Sequence, residues 1–309
     1  MQQFASLLDA QFRSAWLTIG SFDGVHRGHQ ELLRRFLQGA QEAGAPAVVL
    51  TFFPHPIEIL RGPLESYYLS SPEQKTARIA ELGLDALIVQ PFDEAFSQTS
   101  AHEFLGLLKE QLGFERLWVG HDFAMGHGRE GNVEYLRAHQ EEFGYQLEVL
   151  EAVRIEGEVV SSSRIRAMLE AGDVEQATHF LGRPFALDGE VVMGAKRGRQ
   201  LGIPTANISV WPKRVAPKQG VYACRAWLGE QSWGAVTNIG LRPTFEEGLQ
   251  APVVEAHLLD YEGGEFYGQE LRLEFLARLR DEQKFDGVEA LKAQILQDID
   301  AARILFDNE

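Results

Sequence analysis

The segment Gly20-Ser21-Phe22-Asp23-Gly24-Val25-His26-Arg27-Gly28-His29 follows a short apolar run at 16–19. Apolar side chains then recur at helical spacing across 28–41, so the stretch joins a strand to a helix. Ligands of α/β sheets bind at the carboxyl ends of strands, and a helix N-terminus offers free N–H groups to phosphate. The glycines Gly20, Gly24 and Gly28 let the backbone approach closely. The sequence therefore predicts a phosphate site here.

Two histidines stand at the start of this helix. His26 and His29 are three residues apart, so they can share one face and donate to a pentavalent α-phosphate. A turn with incidental histidines is one alternative. A zinc pair is another, although no third ligand accompanies it at a recognisable spacing. We predict that both histidines are catalytic.

The first half of the chain alternates apolar strand segments with helical segments. The predicted strands are 16–19, 46–53, 86–90, 117–120 and 146–150, and the predicted helices are 28–41, 72–82, 101–111, 133–143, 161–172 and 173–182. The strands are apolar throughout, which is typical of a parallel sheet buried on both faces. We therefore predict an N-terminal α/β domain with a doubly wound parallel sheet.

The secondary-structure pattern of the sequence changes near residue 184. From there the chain has β-like segments separated by turn residues, and it ends in an amphipathic helix at 287–306. A domain takes roughly 150 residues, so a chain of 309 residues has room for two. We expect one domain at 1–183 and a second at 184–309.

Composition limits the partners. Lys and Arg number 29 against 45 Asp and Glu, a net charge of −16, which repels nucleic acid and anionic membranes. The apolar runs are too short to span a membrane, and the N-terminus has no signal-peptide pattern. The single cysteine, Cys224, excludes an intramolecular disulfide and fits a reducing cytoplasm. We expect a cytoplasmic protein without nucleic-acid or membrane partners, and a weak homo-oligomer stays open.

The segment GSFDGVHRGHQ resembles the HxGH motif of the nucleotidyltransferase superfamily, in the form found in the prokaryotic bifunctional riboflavin kinase/FAD synthetase (FMN adenylyltransferase) family. Segments TFFPHP at 51–56, GHDFAMG at 120–126 and VSSSRIR at 160–166 resemble further family motifs in order. The resemblance implies nucleotide contacts and flavin contacts. In addition to the three glycines, the implied nucleotide contacts are Phe22, Asp23, Ser161, Ser162 and Ser163. The implied flavin contacts are Phe53, His55, Pro56, Asp122 and Phe123.

Arg166 follows the serines and, on this resemblance, is catalytic, since a guanidinium can bind a triphosphate in a bidentate manner. Simple structural roles are the alternatives: a helix cap for the serines, a loop turn for Asp122 and a packed loop histidine for His55. The chain departs from the family at Ala124, Met125 and Asn132, and Ser163 replaces the usual threonine.

The second domain carries its own motif. Three cations in four residues, at 196–199, are followed by Gly202, Pro204, Thr205 and Asn207. The pattern resembles the signature of the riboflavin kinase barrel, which implies an antiparallel β-barrel with a terminal helix. It also implies nucleotide contacts at Lys196, Arg199, Gly202 and Pro204, with Mg²⁺ held by Thr205 and Asn207. A solvated basic loop beside a turn is the alternative.

Later segments match the same barrel. Glu255, in VVEAH, stands at the family's catalytic glutamate position, where a carboxylate would take the proton of the riboflavin 5′-hydroxyl. On sequence alone it could simply face outward from a strand. Arg280 and Phe285 belong to the segment that covers flavin in the family.

The resemblance therefore implies a bifunctional enzyme that converts riboflavin and ATP to FMN and ADP, and then FMN and ATP to FAD and pyrophosphate. Three alternatives remain. One is a kinase with an impaired adenylyl site, and another is a flavin-binding sensor without turnover. A dinucleotide-dependent oxidoreductase is the third, although no GxGxxG follows the first strand.

Overall fold

A computed structural model describes residues 1–194, 202–243 and 250–307. The chain divides into two compact units. The first comprises Met1–Leu64 and Ser70–Ser162, and the second comprises Glu65–Leu69 and Ser163–Glu309. Residues 163–183 therefore group with the second unit, and the functional boundary at 183 stays a prediction. In the described part of the chain no helix is long and apolar enough to cross a membrane.

The first unit is built on a parallel sheet. Its strands are β1 (Gln2–Phe4), β2 (Trp16–Ile19), β3 (Ala47–Phe53), β4 (Ala86–Pro91), β5 (Arg116–Gly120), β6 (Ala124–Met125), β7 (Gly131–Asn132), β8 (Gln146–Leu150), β9 (Arg154–Ile155) and β10 (Glu158–Val159). Its helices are α1 (Arg27–Ala43), α2 (Pro56–Arg61), α3 (Pro72–Ala80), α4 (Glu94–Ser97), α5 (Ala101–Leu112), α6 (Val133–Ala138) and α7 (Gln140–Phe143). The main sheet has the order β1-β4-β3-β2-β5-β8, with every pair parallel.

Alternate residues of each strand enter two separate cores. Val48 and Leu50 pack on one face of the sheet with side chains from α5 and α6. Ala47 and Val49 pack on the other face with side chains from α1 and α3. Both faces are therefore covered, which explains the continuous apolar strands, and each fully buried Leu or Val contributes about 1.5–3 kcal/mol. The predicted doubly wound parallel sheet is confirmed.

Two local predictions for this unit were wrong. The helix expected at 133–143 is broken into α6 and α7 at His139. There the His139 ring donates to the Tyr135 carbonyl oxygen at 2.8 Å and stacks on the Tyr135 ring. The edge strand β1 was missed because its three residues, QQF, carry no apolar run.

The second unit is a closed antiparallel barrel preceded by two helices. Its helices are α8 (Ser162–Ala171), α9 (Val174–Leu181) and α10 (Val288–Asp307). Its strands are β11 (Phe185–Val192), β12 (Ala206–Val210), β13 (Gly220–Leu228), β14 (Gln231–Pro243), β15 (Gln250–Leu258) and β16 (Glu270–Arg280). They close in the order β11-β12-β15-β14-β13-β16. The predicted barrel with a terminal helix is confirmed.

The barrel interior is apolar. Tyr222, Cys224 and Phe275 are fully buried, and the rings of Tyr222 and Phe275 meet edge to face. Burial raises the pKa of the Cys224 thiol, so this cysteine is an unreactive core residue. Outside the barrel, Ile299 and Ala302 of α10 pack against Val221 and its neighbours.

Candidate active sites

The loop between β2 and α1 is held in an unusual conformation. Phe22, Gly24 and Val25 have φ angles of +48°, +79° and +39°. For the two residues with side chains this costs about 1–3 kcal/mol each, so the surroundings must impose it. Both side chains are buried in the core shared with α1, and this packing offsets the strain.

Hydrogen bonds tie the same loop to two distant segments. The buried Asp23 carboxylate accepts from the backbone N–H and the hydroxyl of Ser70, and the Ser70 Oγ accepts from the Gly24 N–H at 3.1 Å. Ser162 donates from its hydroxyl to the Asp23 carbonyl oxygen at 2.9 Å. The structure therefore brings together three predicted nucleotide contacts, Asp23, Gly24 and Ser162. Sequence reasoning missed Ser70, because its partners lie more than forty residues away.

The two histidines form one stacked pair at the start of α1. Nδ1 of His26 accepts the His29 backbone N–H at 3.3 Å, so His26 caps the helix and a neutral ring carries its proton on Nε2. The rings are 3.6 Å apart at their centroids, and Phe22 contacts His29 edge to face. Nδ1 of His29 is buried and has no hydrogen-bond partner among the described residues.

Burial holds the pKa of His29 well below its usual value, and the neighbouring His26 and Lys75 lower it further. His29 is therefore neutral at physiological pH, with both donor and acceptor capacity in its ring. Within residues 1–194, 202–243 and 250–307, no group of three or more His, Cys, Asp or Glu could hold a metal ion. The pair lies at the N-terminus of α1, whose free N–H groups favour a phosphate ligand.

Lys75 of α3 lies beneath the loop, and sequence reasoning missed it. The Lys75 ammonium donates to the Ser21 carbonyl oxygen at 3.2 Å, to Thr51 Oγ1 at 3.0 Å and to the Phe52 carbonyl oxygen at 3.1 Å. A signal was available: Lys75 and Ile79 are four apart, so the lysine occupies the buried face of α3.

The predicted flavin contacts after β3 have local structural roles. His55 caps α2, because its Nδ1 accepts the Ile57 backbone N–H at 3.2 Å, and Pro56 takes the first helical position. Phe53 is the last residue of β3. A flavin contact for these three residues stays a prediction.

The segment with departures from the family forms a small hairpin. β6 pairs with β7, so Ala124 lies opposite Asn132 and Met125 opposite Gly131. Met125 is buried in the core, and Phe123 packs against the same core, whereas Asp122 is exposed. A Cβ at Gly131 would lie 2.7 Å from the Ala101 Cβ, so only glycine fits where the hairpin meets α5. The flavin contacts at Asp122 and Phe123 stay predictions.

Asn132 caps α6 by accepting the Tyr135 backbone N–H at 2.9 Å. Asp and Asn cap helices about equally well. We therefore expect Asn132→Asp to change the free energy of unfolding little and to leave FAD synthesis intact, whereas Asn132→Ala should cost about 0.5–2 kcal/mol. Denaturant unfolding of both variants checks this. A large loss of FAD synthesis in Asn132→Asp would show that this departure shapes the site itself.

Arg166 is buried in α8 within the second unit. Its Nε donates to the Tyr67 carbonyl oxygen at 2.6 Å, and its guanidinium lies 3.6 Å from the centroid of the Tyr67 ring. Ser161 precedes α8, and Ser162 and Ser163 lie in its first turn, because the helix begins one residue after the predicted start at 161. The role of Arg166 on the triphosphate stays a prediction.

The barrel register aligns the predicted kinase residues. Asn207 of β12 pairs with Glu255 of β15, and Glu255 pairs on its other side with Asn238 of β14. Directly opposite residues place their Cβ atoms about 4.5–5.5 Å apart, so three polar side chains stand in one row. No site role was predicted from the sequence for Asn238, whose Nδ2 also donates to Glu282 Oε1 at 3.3 Å.

A cavity of about 670 Å³, within the size range of ligand pockets, lies against the paired residues Ala206 and Ala256, which adjoin Asn207 and Glu255 in sequence. Gly202, Pro204, Thr205 and His257 are among its lining residues. His257 donates from Nδ1 to the Pro204 carbonyl oxygen at 2.8 Å, which holds the segment before β12. The predicted Lys196 and Arg199 lie outside the described residues.

Thr205 and Asn207 fit a hard cation. Their side-chain oxygens are the ligand type that Mg²⁺ prefers, and the carboxylate of Glu255 is the cross-strand neighbour of Asn207. A Cβ at Gly194 would lie 2.0 Å from the Asn207 Nδ2, so the backbone itself packs against this amide. The backbone of Gly194 therefore restricts the position of the Asn207 side chain.

Arg280 forms a buried ion pair with α10. Its Nε and Nη2 donate to the Asp298 carboxylate at 2.9 and 2.8 Å, and Nη1 donates to the Asp281 carbonyl oxygen. Phe285 lies 5.8 Å from the guanidinium. The described contacts of Arg280 are structural, and flavin contacts for Arg280 and Phe285 stay predictions.

Asp298→Ala should strip Arg280 of its partner. Removing one member of a buried pair costs about 3–5 kcal/mol, and Asp298 is only 5% exposed against 20% for Arg280. Arg303→Ala is a matched control on the same helix, because its pair with Asp260 is exposed and worth less than about 1 kcal/mol. Urea unfolding of the full chain compares them, and equal losses would contradict this account of Arg280.

Comparisons with known proteins agree with both units. A family model described as FAD synthetase matches residues 8–164, and one described as riboflavin kinase matches residues 181–306. The chain is 39% identical to a bifunctional riboflavin kinase/FMN adenylyltransferase of Pseudomonas fluorescens, with 96% of this chain and 95% of the relative covered. It is 36% identical to the Escherichia coli K12 protein of the same description, over 94% of this chain and 92% of the relative.

A solved structure shares the whole fold. It is titled a macrolide-efflux protein from Streptococcus pneumoniae and superimposes with a TM-score of 0.87 at 28% identity, covering 97% of this chain and 98% of the other. Identity above 30% over nearly the full length, together with the two domain matches, decides the assignment. The chain belongs to the bifunctional riboflavin kinase/FMN adenylyltransferase family, in which a FAD synthetase domain precedes a riboflavin kinase domain.

Proposed function

We propose that this bifunctional enzyme performs its two reactions at two separate sets of residues. The barrel phosphorylates riboflavin with ATP to give FMN and ADP, and the parallel-sheet unit transfers AMP from ATP to FMN to give FAD and pyrophosphate. The observation that carries the proposal is that each unit holds its own converging polar residues: the stacked His26–His29 pair in one, and the Asn207–Glu255–Asn238 row in the other.

For adenylyl transfer, a phosphate oxygen of FMN attacks the α-phosphorus of ATP, and the bond to the bridging oxygen of pyrophosphate breaks. Negative charge develops on the pentavalent phosphorus. The first turn of α1 offers N–H groups and the positive end of its dipole. His26 Nε2 and the neutral ring of His29 add N–H donors beside it. Arg166 is the proposed contact of the departing pyrophosphate, because a guanidinium can bind phosphates in a bidentate manner.

For phosphorylation, the riboflavin 5′-hydroxyl attacks the γ-phosphorus of ATP, and ADP leaves. Glu255 accepts the hydroxyl proton as general base. Its cross-strand neighbours are Asn207 on one side and Asn238 on the other. The cavity beside Pro204 and Thr205 takes the nucleotide.

Mg²⁺ is the proposed metal of the kinase. Thr205 and Asn207 would hold it, and when bound it neutralises phosphate charge. A cytoplasmic location and the absence of nucleic-acid partners belong to the same proposal, and they are supported by the charge of −16 and the single buried cysteine.

Isotopically labelled ATP tests the two reactions separately. Label in the γ-phosphate should enter FMN and be retained in FAD, because FAD keeps the FMN phosphate. Label in the α-phosphate should enter FAD alone. If γ-label enters FMN but no α-label enters FAD, the chain is a riboflavin kinase without FAD synthetase activity. If no flavin is labelled, the chain is a flavin-binding protein without turnover. Chelation with EDTA should stop labelling, and added Mg²⁺ should restore it.

A further inference from the structure

The most unusual charge in the first unit is the ammonium of Lys75. Only 8% of the residue is exposed, and its three hydrogen bonds go to Ser21, Thr51 and Phe52. Ser21 follows β2, and Phe52 is the next-to-last residue of the neighbouring strand β3. All three ammonium hydrogens are therefore used to join two strand ends under the phosphate loop.

A buried ammonium is costly when its partners are neutral. All three acceptors of Lys75 are neutral oxygens, and the charged group that stabilises its ammonium is the Asp23 carboxylate. Since an apolar residue would fill the same face of α3 at lower cost, stability alone does not account for a lysine here. A positive charge under a phosphate site, by contrast, serves an anionic ligand.

Lys75 also acts on the histidine pair. The charged or titratable groups facing it are Asp23 from the loop and His29 from α1, and His29 in turn faces His26. A positive charge beside an imidazole disfavours its protonation. Lys75 therefore helps to keep His29 neutral, and its own burial lowers the pKa of Lys75 to about 8.

We infer that Lys75 is a positioning residue for adenylyl transfer, which holds the phosphate loop against the end of β3 and adds to the burial that keeps His29 in its neutral form. This inference rests on the adenylyl site proposed above. The strained loop of Phe22 and Val25 needs such a restraint, and a misplacement of about 1 Å at a reacting centre can cost 10²-fold in rate.

The test is the pH profile of FMN adenylylation in the full chain, with riboflavin phosphorylation by the same preparation as an internal control. Lys75→Met removes the charge and the hydrogen bonds. Lys75→Arg keeps a charge that does not titrate below about pH 12. Lys109→Met is the matched control, because Lys109 also donates to two carbonyl oxygens, those of Phe114 and Gly144. These two residues precede the first residues of β5 and β8, so they lie at the amino ends of the strands, whereas the phosphate loop lies at the carboxyl ends.

Lys75→Met should lower kcat for FAD synthesis by about 10²-fold. The acidic limb of the pH–rate profile of this variant should move to higher pH, because loss of the positive charge raises the pKa of His29. In the wild type, FAD synthesis should fall as pH rises through about 8, where Lys75 loses its proton. In Lys75→Arg this alkaline limb should move to higher pH while the acid limb stays in place. Lys109→Met should keep the wild-type profile.

An unchanged kcat and profile in Lys75→Met would overturn the inference. So would a loss of rate without a shift of the acid limb, since a purely structural role predicts that result, or an equal loss in Lys109→Met. If Lys75→Met does not fold, an unmoved alkaline limb in Lys75→Arg overturns the inference, and a moved limb supports it. A wild-type chain that makes no FAD, by contrast, would refute the proposed function itself.

Discussion

Glu255→Gln should reduce FMN formation from riboflavin by about 10²–10⁴-fold, the usual contribution of a general base, while conversion of added FMN to FAD continues at the wild-type rate. The amide has nearly the shape of the carboxylate, so the row with Asn207 and Asn238 remains in place. Only the ability to accept the hydroxyl proton is lost. Separate assays started from riboflavin and from FMN measure the two rates.

A matched substitution guards against a general effect on the barrel. Glu270→Gln removes an exposed carboxylate from β16 and should leave both reactions unchanged. Retained kinase activity in Glu255→Gln would remove Glu255 from the mechanism. Loss of both reactions would contradict two independent sites.

His29→Ala should have the opposite effect. We expect FAD synthesis to fall by about 10²–10³-fold, as when one donor to a developing negative charge is removed, with FMN formation unchanged. His29 is the sharper target of the pair, because His26 also caps α1 and its loss would weaken the helix. Rates of FAD formation from FMN and ATP provide the measurement.

His102→Ala is the control, since His102 is an exposed histidine of α5 whose ring contacts Glu142. It should retain both activities. Undiminished FAD synthesis in His29→Ala would show that the buried Nδ1 of His29 has no part in catalysis.

Local sequence patterns were sufficient to predict most strands and helices of the parallel-sheet unit. Apolar runs such as 46–53 predict buried parallel strands, because both faces of the sheet are covered. The loop before α1 could be located because a strand, glycines and two histidines follow one another directly. The break between α6 and α7 at His139 could not be located from the sequence, because it depends on the hydrogen bond from the His139 ring to the Tyr135 carbonyl oxygen.

The missed residues share a physical cause. Ser70 reaches Asp23 across 47 positions, Lys75 reaches Thr51 across 24, and Asn238 reaches Glu282 across 44. Each gains its role from partners that only the folded chain brings near.

The most direct test of the central claim, that one chain makes FAD from riboflavin by two reactions, is a time course with riboflavin, ATP and Mg²⁺, with the flavins separated by chromatography. We predict that FMN appears first and that FAD then accumulates as FMN is consumed. FMN that persists without FAD, or riboflavin that stays unchanged, would contradict the account.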